Sequence, residues 1–326
     1  GPVSVRRLCD DFALSHASLQ AALLALQSEG YAMVLPGDPA ELDEDRTWCE
    51  RRLLARIHRY SRENRRRASR PVSPSAYMRF LLSWHGFDEP AGELEQSISQ
   101  LEGWAAPAVA WEQGLLASRC ADYSPQRLDE QFLSGYLTWF RPNSGVQGGV
   151  GLVAATPITL VPRRRLDAWN MPGERSDSEL GSIAGRIYAA LQERGAMFSA
   201  DLEAECRLMT LQLEQGLAEL IAAGLVTADA FSPLRWLTRP ESEKRRQQKR
   251  LSRRRPGATV SLLGRWSIMR EPSIAQADSL FEQQSRLAAV CEALLRRYGV
   301  VFRAVLERES LIPPWRYLLH YLRRME

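Results

Sequence analysis

One short sequence pattern, which starts at a glycine and leads into a helix, occurs three times along the chain of 326 residues. It reads G-A-M-F-S-A-D-L from Gly195 and G-V-V-F-R-A-V-L from Gly299, and both copies follow an amphipathic stretch that ends in leucines. The N-terminal G-P-V-S-V-R-R-L places Gly1 and Leu8 at the same separation, but it leaves no room for the preceding stretch. We therefore expect three units of one architecture, with the first cut short.

A second helix with apolar residues at spacings of four and then three follows each start, which is the spacing that buries one stripe of a helix. The stripes are Leu19, Leu23 and Leu26 in the first unit, Leu213, Leu217 and Leu220 in the second, and Trp315, Leu319 and Leu322 in the third. Two units then close with a glycine and a β-prone run, G-Y-A-M-V-L from Gly30 and G-L-V-T-A-D from Gly224, the latter leading to L-R-W-L-T at Leu234. Helix, extended piece, helix, turn, helix and hairpin is the order of a winged helix.

A longer block lies between the first and second units. Residues 48–68 predict a strongly basic helix with an apolar stripe, and Arg70-Pro71 predicts its end. Serine-proline pairs predict two further helix starts, and glycines predict the corresponding ends: Ser73-Pro74 to Gly86, and Ser124-Pro125 to Gly135. Extended segments follow from Tyr136 and from Gly151. Helices followed by a hairpin suggest a fourth, enlarged winged helix.

The predicted fold class is mainly α with short β-hairpins (α+β), arranged as tandem winged-helix domains. The expected boundaries give a truncated winged helix at 1–40, an enlarged winged-helix-like domain with inserted helices at 41–172, a winged helix at 173–242, a basic linker and strand at 243–270, and the start of a further winged helix at 271–326.

Composition indicates a soluble protein, with 45% hydrophobic and 25% charged residues. No apolar run approaches the roughly 20 residues that span a bilayer, and the N-terminus lacks the order of a signal peptide, so we expect a cytoplasmic protein without membrane association. The five cysteines are scattered, with no C-x-x-C pair and no histidine at zinc-ligand spacing, so we expect buried, reduced thiols and no metal site.

Positive charge is concentrated in one stretch. The chain holds 43 basic and 39 acidic residues, for a net charge of +4, yet Lys244–Arg255 contains eight basic residues and no acid. Removing those eight charges takes the remainder from +4 to -4. A near-neutral body with a cationic segment is typical of a protein that binds phosphate backbones.

The candidate nucleic-acid contacts are basic or polar residues at positions where a winged helix meets a groove or a backbone. In the first unit they are Arg6, Arg7, Ser18 and Gln20. After the predicted hairpin, Arg163, Arg164 and Arg165 form either a phosphate clamp or a solvated turn. The basic stretch is either a flexible linker that binds the backbone or a spacer without a partner, and it contributes Lys244, Arg245, Arg246, Lys249, Arg250, Arg253, Arg254 and Arg255.

Two further groups of residues have competing interpretations. The arginines of the basic helix at residues 48–68 are expected to divide between solvent, internal acids and a ligand. Five tryptophans could stack on bases, although core packing is the commoner fate of a tryptophan beside leucines: Trp84, Trp104, Trp111, Trp139 and Trp236.

Motifs for nucleotide hydrolysis and for common hydrolases are absent. Neither lysine belongs to a G-x-x-x-x-G-K-[ST] loop, and the chain has no G-x-S-x-G or H-E-x-x-H motif. Gly148, Gly149 and Gly151 follow a turn and precede a strand, which favours a wing tip over a dinucleotide loop. We assign no catalytic residue and no metal ligand, and we expect this chain to bind no cofactor.

Several long segments resemble the Lhr (large helicase-related) family of bacterial superfamily 2 helicases. They include W-C-E-R-R-L-L-A-R-I-H-R-Y-S from Trp48, R-P-V-S-P-S-A-Y-M-R-F-L-L-S-W-H from Arg70, L-E-G-W-A-A-P-A-V-A-W-E from Leu101, and R-R-Y-G-V-V-F-R-A-V-L-E-R-E-S-L-I-P-P-W-R from Arg296. The resemblance is to the C-terminal region of long family members. It implies that a motor with two RecA-like domains precedes this region and that a β-rich tail follows the last winged helix.

The resemblance implies a nucleic-acid-binding fragment of a DNA repair helicase that works beside an ATP-driven 3′ to 5′ motor. The expected partners are DNA, single-stranded or as an RNA:DNA hybrid, and the motor of the same polypeptide, for which ATP and magnesium would be the cofactors. Two alternatives stay open: part of a uracil-DNA glycosylase module, whose family carboxylate lies beyond this sequence, and a scaffold that forms homo-oligomers.

Overall fold

Three small antiparallel sheets, each of three strands in the same order, organise most of the chain. In each sheet the strand that comes last in sequence lies between the other two. The computed structural model of the chain describes residues 1–35, 46–68, 70–88, 92–142, 152, 154–170, 180–254, 264–269 and 280–325. These residues divide into two compact units, Gly1–Ser73 and Pro74–Met325.

The first module forms most of the unit Gly1–Ser73. Its elements in chain order are β1 (Val3–Ser4), α1 (Val5–Phe12), α2 (His16–Ser28), β2 (Ala32–Val34) and β3 (Thr47–Glu50), with β3 paired to both other strands. Serines begin both helices, since Ser4 Oγ accepts from the Arg7 N–H and Ser15 Oγ accepts from the Ser18 N–H. The prediction of a helical pair and a β-run after Gly30 is confirmed.

Two details of the first module differ from the sequence prediction. The core covers only the first turns of α2, so Leu19 and Leu23 are buried while Leu26 is exposed. Strand β3 begins at Thr47, so the module extends beyond the boundary expected at residue 40. The helix α3 (Arg51–Ala68) follows β3 directly, which assigns it to this unit and not to the next domain. Pro36–Asp45, an expected boundary, lies outside the described residues.

The second module contains the helices and hairpin predicted between the repeats. Its elements are α4 (Pro74–Trp84), α5 (Leu94–Gln100), β4 (Ala105–Pro107), α6 (Ala108–Ala110) continuing as a π-helix at Trp111–Leu116, α7 (Pro125–Leu133), β5 (Leu137–Phe140) and β6 (Pro157–Pro162). Ser124 Oγ accepts from the Arg127 N–H, which confirms the predicted helix start. The glycines at the expected wing tip lie outside the described residues. A 3₁₀ turn at Arg163–Arg165 and α8 (Leu166–Trp169) lead out of the sheet.

The third module repeats the sheet order with a long insertion in its wing. Its elements are α9 (Ser182–Arg194), β7 (Met197–Phe198), α10 (Ser199–Glu205), α11 (Thr210–Ala222), β8 (Val226–Ala228) and β9 (Arg265–Ile268). Between β8 and β9 lie α12 (Ser232–Leu237) and α13 (Glu241–Arg254). The predicted extended run at Leu234 is therefore wrong: Pro233 favours the first turn of a helix, and the helix buries Leu234 and Trp236.

The insertion also changes the predicted domain limits. Because β9 is the central strand of the third sheet, the module does not end at residue 242, and residues 243–270 are not a linker between domains. The segment at residues 171–179, expected as a boundary, lies outside the described residues.

The fourth module is described by its helices, α14 (Leu280–Tyr298), a 3₁₀ turn at Arg303–Arg308, and α15 (Trp315–Met325). The predicted stripe of Trp315, Leu319 and Leu322 is half-buried, and Leu318 is the buried residue of α15. None of the helices in the described part of the chain is both long and apolar enough to cross a membrane.

A buried ionic cluster joins the second and fourth modules. Glu102, which is 1% exposed, accepts from Trp169 Nε1 at 2.9 Å and from Arg296 Nη2 at 2.7 Å. Arg297 donates to the Glu102 carbonyl and pairs with Glu309. Removing one partner of a buried ion pair costs about 3–5 kcal/mol, because the other charge is left uncompensated. The cluster therefore fixes α14 on the second module.

A second polar cluster joins the insertion helix α12 to the second module. Arg235 donates to both carboxylate oxygens of Glu112, at 2.6 and 2.8 Å, and to Asp129 at 3.1 Å. Tyr123 donates its hydroxyl to Glu112 at 2.7 Å. Because Glu112 lies in the π-helix and Asp129 in α7, one guanidinium holds both to the third module.

We predict that Gly103→Ala destabilises the protein by about 2–4 kcal/mol, because φ at this residue is +78° and a Cβ would lie 2.4 Å from the Trp169 ring. Gly185→Ala, in the middle of α9 with open space around it, is the matched control and should gain roughly 0.5–1 kcal/mol. Urea denaturation followed by tryptophan fluorescence measures both. Equal effects of the two substitutions would contradict the packing described here.

We also predict acid destabilisation through His85. Burial and the neighbouring Arg119 guanidinium lower the pKa of His85 from 6.5 to about 4, and its Nδ1 lies 3.3 Å from Arg119 Nη2. Since the unfolded chain binds this proton more readily, the stabilisation is complete above pH 6.5 and is lost as the pH falls from 6.5 to 4. His85→Asn keeps an acceptor for Arg119 but cannot titrate, so its free energy of unfolding should vary less across that range.

Candidate nucleic-acid interface

The structure separates the predicted cations into those with internal acid partners and those exposed to solvent. Lys244 belongs to the first group, because its Nζ lies 3.2 Å from Glu214 Oε2 and its side chain is 13% exposed. Trp236 Nε1 donates to the other oxygen of Glu214 at 2.7 Å. Lys244 therefore fastens α13 to α11, while its predicted contact with nucleic acid stays a prediction.

Arg165 has an internal role as well. Its Nη2 donates to Glu292 at 2.8 Å and its Nη1 lies 3.7 Å from Glu102, at the edge of the buried cluster. Arg163 and Arg164, in the same 3₁₀ turn, are exposed. Arg165 therefore faces the fourth module, while the clamp of three arginines stays a prediction.

The basic stretch is a helix, not a flexible linker. Helix α13 starts with Glu241 and Glu243, acids that favour the N-terminal turn of a helix, and Arg239 donates to Gln247 alongside it. Its exposed cations are Arg245, Arg246, Lys249, Arg250 and Arg253. Nothing is described of the Arg254 side chain, and Arg255 lies outside the described residues. The result is a cationic helix that Lys244, near its start, holds to Glu214 of α11.

The first-module candidates give a weak electrostatic signal. Arg6 and Arg7 are exposed on α1, and Arg7 Nε lies 3.7 Å from Asp11. Ser18 is exposed and its hydroxyl lies 2.8 Å from that of Ser15, while Gln20 is half-buried. Helix α2 itself contains no lysine or arginine. The helix that a winged helix presents to a groove is therefore neutral in this module.

The corresponding helix of the fourth module has the opposite character. Helix α15 contains no acid, and one side of it exposes Arg316, Tyr317, His320, Arg323 and Arg324. Arg316 lies over the Tyr317 ring at 4.7 Å from its centroid. Helix α11 has no cation, and the only arginine of α7, Arg127, pairs with Asp122. Among the third helices of the four modules, α15 alone combines exposed cations with an exposed aromatic ring.

The sequence analysis did not predict the cationic face of α15, because it considered only the apolar stripe of this segment. The signal was present: Arg316, His320 and Arg323 follow the spacing of four and three residues that the apolar stripe also follows. A helical wheel of W-R-Y-L-L-H-Y-L-R-R-M separates the two faces.

Most of the tryptophans proposed as stacking residues are core residues. Trp111 and Trp139 are fully buried and donate to the carbonyls of Ile158 and Ala230. Trp236 is buried, and Trp104 lies under the Arg297 guanidinium at 5.4 Å. Trp84 is 45% exposed, although its Nε1 donates to the Arg296 carbonyl. The core interpretation is confirmed for Trp111, Trp139 and Trp236.

The described residues contain no group of three or more histidine, cysteine or acidic side chains that could hold a metal ion. Burial and the neighbouring Glu292 raise the pKa of Cys291 to about 11, which keeps its thiol protonated and unreactive.

Comparison with known proteins identifies two of these modules directly. Residues 72–163 match a family model described as a winged-helix domain of the large helicase-related protein, and residues 281–326 match a second model with the same description. The first match covers α4 to β6, and the second covers most of α14 and continues through α15. The predicted winged-helix fold is confirmed for both regions.

Curated relatives match over most of the chain. The Lhr helicase/uracil glycosylase of Escherichia coli (strain K12) is 27% identical over 348 residues, which cover 95% of this chain and 21% of the relative. The Lhr helicase/probable uracil glycosylase of Mycolicibacterium smegmatis is 30% identical over 288 residues, which cover 81% of this chain and 18% of the relative. The chain spans about a fifth of the length of these relatives.

We predict that two cations of α13 have separable effects. Lys244→Met leaves Glu214 without its ion pair and should lower the free energy of unfolding by about 2 kcal/mol, with little change in DNA affinity. Arg250→Gln removes an exposed charge, so stability should change by less than about 0.5 kcal/mol while DNA affinity falls roughly two- to fivefold. Thermal unfolding and fluorescence anisotropy test the pair, and a reversal of the two patterns would refute the assignment.

Proposed function

We propose that this chain, which carries winged-helix domains of the large helicase-related (Lhr) family, is a nucleic-acid-binding part of a DNA helicase. The observation that carries the proposal is the exposed cationic and aromatic face of α15, on the helix that a winged helix presents to nucleic acid. Guanidinium groups bind phosphates in bidentate fashion, and an exposed tyrosine adds a surface on which a base can stack.

The exposed cations of α13 support the same role. Exposed arginines along a helix attract phosphate backbones without reading sequence. Arg163 and Arg164 add two further charges within the unit Pro74–Met325. Several weak contacts on one polypeptide raise the overall affinity through effective concentration.

The relatives are named helicases, and we propose that this chain works on DNA beside an ATP-driven motor of the same polypeptide. ATP and magnesium would belong to that motor, and the winged helices would hold the strand while the motor moves. Single-stranded DNA or an RNA:DNA hybrid is the ligand that we propose for this role. DNA repair is the process in which we place it.

The relatives' names also include uracil glycosylase, and we do not extend that activity to any residue of this chain. A carboxylate that activates water must be free to accept a proton. The buried carboxylates Glu102, Glu214 and Glu309 are each held by an arginine or a lysine. Their ion pairs give them a structural role.

We expect DNA binding that weakens steeply with salt and depends on α15. The double variant Arg316→Gln with Arg323→Gln should lower the slope of log affinity against log salt by about 1.4–1.8, since each phosphate contact contributes about 0.7 on single strands and about 0.9 on duplexes. Arg127→Gln is the control, because Asp122 already holds that guanidinium. Fluorescence anisotropy between low and moderate salt measures the slopes. Affinity that is independent of salt, or an equal loss in the control, would refute the proposal.

A further inference from the structure

Helix α3 carries a concentration of arginine that the proposed function has not used. Its 18 residues contain eight arginines and one acid, Glu63. The arginines are Arg51, Arg52, Arg56, Arg59, Arg62, Arg65, Arg66 and Arg67, and all of them are exposed. At 1.5 Å per residue, the first and the last lie about 24 Å apart along the helix axis.

The start of α3 is fixed to the first module. The Arg51 N–H donates to the Tyr31 carbonyl at 2.8 Å, and the Glu50 carboxylate accepts from the N–H groups of Arg52 and Leu53 at 2.8 and 2.7 Å. These two backbone bonds lower the pKa of Glu50, with smaller contributions from nearby arginines. The capping carboxylate is thus held mainly by the N–H groups of the helix start, with Arg52 and Arg56 as weaker electrostatic partners.

The arginines occupy the side of α3 that faces away from its packed stripe. Leu53, Leu54 and Ile57 are half-buried and define one side of the helix, although no residue of α3 is fully buried. At about 100° per residue, Arg51, Arg52, Arg56, Arg59, Arg62, Arg66 and Arg67 spread over about 160° of the opposite side. One strand of phosphates that runs alongside the helix would contact only part of a cationic face of this width.

Internal acids do not account for the charges of Arg59 and Arg62 in the middle of α3. Within the described residues, neither Arg59 nor Arg62 lies within ion-pair distance of a carboxylate, in contrast to Lys244, Arg165 and Arg235. Seven positive charges in excess on one helix repel one another and lower stability. A polyanion that contacts both flanks of the helix would relieve this repulsion.

The dimensions and the charge distribution favour duplex DNA as that polyanion. The major groove of B-form DNA is about 12 Å wide, admits an α-helix, and has phosphates along both walls. A helix about 24 Å long spans roughly seven base pairs at 3.4 Å each. The major groove of an RNA duplex is deep and narrow, so it would exclude α3.

An anionic membrane fits α3 less well. A helix that lies in a lipid surface inserts an exposed apolar face between the headgroups. Leu53, Leu54 and Ile57 on the apolar side of α3 are half-buried, and the arginines fill the exposed side.

We propose that α3 is a duplex-DNA site that lies in the major groove, with its arginines on the phosphates of both strands. The inference rests on the proposed nucleic-acid-binding function and adds to it a ligand class and a site in the unit Gly1–Ser73. Helix α3 belongs to a different unit from α13 and α15, so the proposal adds a site to those of the unit Pro74–Met325.

The test uses the full chain with Arg56, Arg59 and Arg62 changed together to glutamine, which preserves helix propensity. Three ligands are compared by anisotropy: a 20-base-pair DNA duplex, a DNA single strand and an RNA duplex of equal length. We expect duplex-DNA affinity to fall roughly tenfold or more and its salt slope to fall by about 2.7, while single-strand affinity changes less than about twofold. The matched control changes the same residues to lysine, keeps the charge, and should retain most of the salt slope.

Circular dichroism of both variants confirms that α3 remains helical. An equal loss of affinity for the duplex and for the single strand overturns the inference, as does wild-type affinity for the RNA duplex that matches that for the DNA duplex. Binding to phosphatidylserine vesicles that is lost in the glutamine variant, with duplex binding unchanged, assigns the surface to a membrane instead. Failure of the proposed function is distinguishable, because the wild-type chain would then bind none of the three nucleic acids.

Discussion

The arrangement of the unit Pro74–Met325 depends on one buried carboxylate, Glu102. Its carboxylate pairs with Arg296 at 2.7 Å and lies 3.7 Å from Arg165, and its backbone carbonyl accepts from Arg297. Three arginines that are far from Glu102 in sequence thus contact one turn. The next residue must be glycine, because the Trp169 ring occupies the position where a Cβ would be. The L-E-G-W segment that supports the family resemblance is therefore explained by structure: the acid holds the arginines, and the glycine admits the indole.

The repeated module preserves its topology while its third helix changes in charge. All three sheets place the last strand in the centre. In each module one helix that precedes this strand begins after Ser4, Ser124 or Phe198, respectively. Helices α2 and α11 carry no cation, α7 carries one that is paired, and α15 carries four exposed basic side chains. Since the core stripe alone specifies the fold, the outer face is free to vary. Repetition of fold in this chain thus does not imply repetition of function.

The sequence predicts local features well and long-range pairing poorly. Ser73-Pro74 and Ser124-Pro125 mark helix starts because the signal lies within a few residues. Strands β8 and β9 are paired although 36 residues, which include two helices, separate them in sequence. No local sequence pattern predicts that the strand at Trp266 joins the same sheet as β8. The same limit applies to the cations. The sequence around Lys244 and Arg165 does not show that they form ion pairs, because their partners Glu214 and Glu292 are distant in sequence.

The distribution of free charge has a consequence for how tightly the whole chain can hold nucleic acid. The exposed cations lie in both units, on α3 in Gly1–Ser73 and on α13 and α15 in Pro74–Met325, and only five residues separate the end of α3 from the start of α4. Once one surface is bound, a short tether keeps the other at high effective concentration, so modest individual affinities multiply. Each contact is electrostatic and weakens with salt, so the combined slope is the sum of the separate ones. A chain built in this way would hold a polyanion firmly and still release any single contact quickly, because no one contact contributes most of the binding free energy.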